Sequence, residues 1–93
     1  MKIKEQIANE IREYLQEGQN YIQCDKPEYS FALQFDLAKV TTYVDPERNY
    51  TEYDIIGEFF PGLSYIMIGE AELCKSDVIE IVNMAAENYT ILV

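Results

Sequence analysis

The chain has no histidine and no tryptophan, only two cysteines and four glycines, and 7 Lys and Arg against 17 Asp and Glu. Each shortage closes a class of chemistry. Without histidine, Ser-His and Cys-His nucleophilic sites are excluded, and the commonest proton shuttle and metal ligand goes with them. The glycines at 18, 57, 62 and 69 form neither GxGxxG nor GxxxxGK, so no phosphate cradle and no nucleotide cofactor are expected. Cys24 and Cys74 stand in no CxxC or other metal spacing. Asp25 and Glu72 near them oppose a thiolate, with Lys26 and Lys75 a partial offset, so the expectation is a loop Cys24 and a structural Cys74 at a strand end. The pairs Glu52 with Asp54 and Glu70 with Glu72 each share one side of a strand, but no EF-hand loop or third ligand accompanies them. The sequence therefore predicts no catalytic residue, no metal and no cofactor: a non-enzymatic protein.

Positive charge is also scarce. A formal charge of −10 repels nucleic-acid phosphates and anionic membranes, which argues against direct binding to either. The same charge attracts basic proteins and speeds their encounter. No long apolar run is present, and the opening "MKIKEQIANEI" is charged every few residues, so neither a secretory leader nor a membrane span is expected. A cytoplasmic protein with reduced thiols is the reading that follows.

What the chain does have is apolar material. Its 93 residues, 48% hydrophobic and 13% aromatic, suffice for one folded acidic domain over 1–93. Ile3, Ile7, Ile11, Tyr14 and Leu15 recur at helical spacing with Ala8 in the same stripe, and Gly18 follows as a stop, which predicts a helix over 2–17. "QNYIQCDKPE" reads as a connector with a short extended piece, because Pro27 turns Lys26 away from helix. Strict alternation from Tyr29 to Leu37 is a half-buried strand. Beyond Leu37 the parity slips, and a bulge near Ala38-Lys39 restores it. "DPERN" supplies a type I turn, and the return strand runs from about Tyr50 to Phe60.

Residues 63–74, "LSYIMIGEAELC", read as a third strand, apolar on both parities and hence central or covered by a partner. Ser76 is the expected N-cap of a second helix using Val78, Ile81, Val82, Ala85 and Tyr89; "YTILV" could fray, extend it or add a short strand. The fold class is α+β, a two-layer α-β-β-β-α arrangement in which both helices pack on one face of a three-stranded antiparallel sheet.

Folding the hairpin on its turn places Phe31, Leu33, Phe35, Leu37, Val40 and Val44 with Thr51, Tyr53, Ile55 and Phe59 on the core face. The outer face collects Asp36, Lys39, Tyr43, Tyr50, Glu52, Asp54 and Glu58. Tyr14, Tyr65 and Tyr89 fit apolar stripes, whereas Tyr43 and Tyr50 flank the turn beside carboxylates, a combination suited to Arg and Lys on a partner. The expected partner-binding set is thus Tyr43, Tyr50, Glu52, Asp54, Glu58 and Asp36, joined by a helical acidic row of Glu10, Glu13 and Glu17. Ile56, Phe60, Ile66 and Ile68 are expected together as an outer apolar patch, an interface for a homodimer.

The function expected from these residues is an interaction module engaging a basic, nucleic-acid-binding protein by charge mimicry. In size and charge the chain is similar in type to small phage and mobile-element inhibitors, anti-CRISPR and anti-restriction proteins among them, although no motif ties it to a named family. The alternatives are an oligomeric structural or accessory protein using the outer apolar patch and, third, a metal-dependent carboxylate enzyme.

Overall fold

A computed structural model describes residues 2–48 and 50–91, apart from the side chains at 40, 42, 50–55 and 87–91. The turn position Asn49 and the terminal Met1, Leu92 and Val93 lie outside the described residues. Helix α1 (Ile3–Gln16) forms on the expected stripe, with Ile7, Ala8, Ile11 and Leu15 all buried. It ends where Gly18 takes a φ of 71° and its N–H donates to the Leu15 carbonyl at 2.9 Å, the left-handed stop that glycine adopts without steric cost.

Among the described residues six strands follow, not three: β1 (Tyr21–Asp25), β2 (Tyr29–Asp45), β3 (Tyr50–Phe59), β4 (Tyr65–Ile68), β5 (Ala71–Glu72) and, after helix α2 (Lys75–Ala85), β6 (Glu87–Ile91). The order is β5-β4-β2-β3-β6, with β1 added to β2; among the described residues only the β3–β6 pair is parallel. The fold is α+β, with two helices and a largely antiparallel sheet.

The connector reading of 20–28 missed β1, whose alternating exposure is that of a half-buried strand. The single strand expected over 63–74 is a small hairpin, because Gly69 with φ 61° turns the chain between β4 and β5. Helix α2 starts after Cys74 rather than Ser76 and stops at Ala85, so Tyr89 belongs to β6 and not to a helical stripe. The two cysteines exchange roles: Cys24 is buried on β1 and Cys74 exposed.

The registers split β2 in two. Residues 30–34 pair with β1 and residues 29–32 with β4, whereas residues 35–45 pair with β3. β3 and β4 therefore follow one another along one edge of β2, with β1 on the other, and past Leu37 that other edge is bare among the described strands. Both helices share one core with the odd-numbered face of the first half: Ile7, Ile11, Val78 and Ile81 pack with Phe31, Leu33, Phe35, Phe59 and Ile66. Tyr14 meets Phe31 edge-on at 6.2 Å, and Phe35 and Phe59 lie 4.8 Å apart. Burying such a side chain is worth about 1.5–3 kcal/mol, so this half carries the stability.

The expected homodimer patch does not exist as drawn. Ile66 pairs with Phe31, points into the core and is 0% exposed, and Ile68 packs against the same core. Only Ile56, at 48%, and the half-buried Phe60 lie away from it. Two-sided apolarity misled because β4 is four residues long, and pairing with β2 alone decides which parity faces the helices. Tyr65 shows the same reversal, lying opposite Ala32 on the outer face, not in the core. Val44, expected inward, is 58% exposed because the helices end before the hairpin does.

Candidate functional site

The site is built on the hairpin that continues β2 and β3 beyond the core. Its register breaks between Leu37, opposite Gly57, and Lys39, opposite Ile56, the bulge that the parity slip predicts. A bulge places one extra residue on one strand, so alternation restarts and even-numbered Asp36 shares a face with odd-numbered Lys39, Thr41 and Tyr43. Gly57 makes the bulge sterically feasible. A Cβ there would sit 2.3 Å from the Asp36 carbonyl oxygen and 2.9 Å from the Leu37 Cα, so only glycine lets the β2 backbone approach.

On the outer face the register sets Asp36 opposite Glu58, Lys39 opposite Ile56, Thr41 opposite Asp54, Tyr43 opposite Glu52 and Asp45 opposite Tyr50. Asp36, Lys39, Thr41 and Tyr43 are exposed, Tyr43 at 61%, and Glu58 is half-buried. At Tyr50, Glu52 and Asp54 the backbone register is described and the side chains are not. Over 36–58 the chain carries six acidic residues and two basic ones. Asp36 faces Glu58 directly, and like charges so placed cost about 0.2–1 kcal/mol; no ion pair among the described residues relieves either.

The same outer face extends over the first half of the sheet with residues that sequence reasoning left out. Tyr21 lies opposite Gln34, and Tyr65 and Gln23 flank Ala32 on either side; Asp25 and Glu72 sit further along the same face. Tyr21 and Tyr65 are both exposed. The signal for Tyr21 and Asp25 was present in the alternation of "YIQCD".

The helical acidic row does not join this surface, because α1 covers the opposite face of the sheet. Glu10 is committed inside the protein. Its carboxylate accepts the Tyr29 hydroxyl at 2.5 Å and the Cys24 thiol at 3.3 Å, and pairs with the Lys26 ammonium. Burial alone would push this carboxyl up, but the hydrogen bonds from Lys26, Tyr29 and Cys24 hold it below the usual carboxylate range. Burial, then the hydrogen bond to the Glu10 carboxylate, pushes the Cys24 thiol up to about 11, which opposes a thiolate there. Glu13 and Glu17 are exposed, and Glu17 accepts the Gln19 amide at 3.0 Å.

A cleft of about 310 Å³ opens where Gln16, Glu17 and Gly18 meet Leu37, Ala38 and Lys39, at the root of the hairpin. Among the described residues, no three His, Cys, Asp or Glu side chains converge on a point where a metal ion could sit, and no helix is long and apolar enough to cross a membrane. No family model, no curated protein and no solved structure matches this chain.

Proposed function

We propose that this chain is a non-enzymatic, acidic interaction module that engages a basic protein through the outer face of its sheet, with carboxylates in the place of nucleic-acid phosphates. On this reading it acts as a small inhibitor of the anti-defence type. The observation that supports it is the register: the bulge gathers Asp36, Tyr43, Glu52, Asp54 and Glu58 onto one face of a hairpin that reaches past the core. The uncompensated Asp36–Glu58 opposition supports it too, since a face kept only for solubility gains nothing from aligned like charges. Tyrosines add flat, low-entropy contact area among the acids, suited to stacking against Arg.

The test is capture from a lysate of the natural host with salt-gradient elution, followed by competition with double-stranded DNA. The expected result is one basic nucleic-acid-binding protein, released as salt rises and displaced by DNA. Absence of any protein retained at low salt, or retention indifferent to DNA, contradicts mimicry.

A further inference from the structure

The second half of β2 presents an unprotected edge. From Lys39 to Asp45 its only partner among the described strands is β3. Between those two charges stand Val40, Thr41, Thr42, Tyr43 and Val44, five β-prone residues without a charge, proline or glycine. Natural proteins blunt exposed edges with such residues, and a run lacking them is a template for another strand. A hairpin whose described residues Thr41, Tyr43 and Val44 are exposed is also marginal alone, and a further strand stabilises it.

The charges at the ends of the run identify the strand that fits. We infer that the edge Lys39–Asp45 pairs antiparallel with the same edge of a second copy of this chain, centred on Thr42. In that register Thr42 meets Thr42, Thr41 meets Tyr43, Val40 meets Val44, and Lys39 of each copy meets Asp45 of the other. A shift of two residues one way parts Lys39 from any acid, and the other way sets it level with Glu47, which lies in the turn beyond the end of the strand, so the charges favour one register. Opposite residues point to the same side of a sheet, so the two outer faces join into one surface carrying both copies of Asp36, Tyr43 and Glu58.

The formal −10 opposes the approach of two copies, but exposed charges are screened beyond about 8 Å at physiological salt. The edge itself is neutral, Lys39 against Asp45. Asp45 is half-buried; it also accepts the Glu47 N–H at 3.1 Å and meets the exposed Arg48 at 3.6 Å in its own turn, a contact weak enough to yield to a second cation. The dimer goes beyond the acidic-face reading and does not depend on it.

The experiment is sedimentation velocity on the whole protein from micromolar to millimolar concentration, with Lys39→Asp, Asp45→Lys and the double exchange, each checked for folding by circular dichroism. A reversible dimer is expected. Either single variant weakens it about tenfold or more by opposing like charges twice per dimer, and the double exchange restores it. An equimolar mixture of the two single variants associates better than either alone. Amide hydrogen exchange on the unsubstituted protein gives a reading that needs no variant: protection at 40–44 rises with concentration, and at 30–34 it does not. A monomer throughout, a dimer indifferent to the single variants, or exchange at 40–44 independent of concentration overturns the inference.

Discussion

The two halves of β2 are one continuous strand with opposite fates. The first half, residues 29–34, has strands on both edges at 30–32 and buries Phe31 and Leu33 beneath two helices; residues 39–45 have one neighbour and leave Tyr43 and Val44 in solvent. Both halves carry apolar and aromatic residues. What separates them is the cover, since α1 and α2 reach as far as Phe35 and Phe59. An apolar residue in the first half is a packing element, and the same type in the second half is available for contact.

Substitutions can break that contrast at successive points. Phe31→Ala, at the centre of the covered half, should cost about 3–5 kcal/mol in a denaturant titration through loss of transfer energy and a residual cavity. Tyr43→Ala in the other half should change stability by less than about 0.5 kcal/mol. If the two costs were alike, the hairpin would be as much a part of the core as the body is. Gly57→Ala acts at the junction and should cost about 1–3 kcal/mol by forcing a Cβ against the Asp36 and Leu37 backbone. Its effect should be local, with amide protection lost around 36–39 and retained at 30–34.

Glu10 tests the covered half by pH. Its folded pKa is lowered, so its contribution is fully present above the unfolded carboxyl pKa and is lost as pH falls through the folded value. The protein should therefore lose stability as pH drops below about 4, the unfolded Glu range. Glu10→Gln should flatten that dependence and cost about 1–2 kcal/mol at neutral pH through the weakened Tyr29 and Lys26 bonds, read from melts at several pH values. Asp36→Asn should have a small effect of the opposite sign. Removing one member of the Asp36–Glu58 opposition should stabilise by about 0.2–1 kcal/mol in the same titration while weakening partner binding, a division between stability and contact that a purely structural residue does not show.

Local periodicity made much of this legible. The α1 stripe, the stop at Gly18, the alternation from Tyr29 and the parity slip at Ala38-Lys39 each correspond to an element in the structure. Pairing decided what periodicity could not. β1 is five residues long and stands next to Pro27, so its alternation carried little weight until β2 supplied a partner. Ile66 and Met67 are both apolar, and only the register with Phe31 and Ser30 turns the first inward. The helical stripe through Ala85 suggested Tyr89 as its next member, but the chain leaves the helix at Ala86 and pairs with β3, a tertiary contact overriding local propensity. The outer face was legible on the hairpin, where the bulge could be read, and not on the first half, where Tyr21 and Tyr65 needed the sheet order.

The most direct test compares two charge reversals of equal size on opposite sides of the sheet. Once the basic partner is in hand, its affinity is measured for Asp36→Lys with Glu58→Lys on the outer face, and for Glu13→Lys with Glu17→Lys on α1. Both pairs change the net charge equally, so a general electrostatic attraction would weaken equally in each. The outer-face pair should lose about tenfold or more in affinity and the helical pair little. Equal losses, or a larger loss from the helical pair, would contradict the assignment of the outer face as the contact surface.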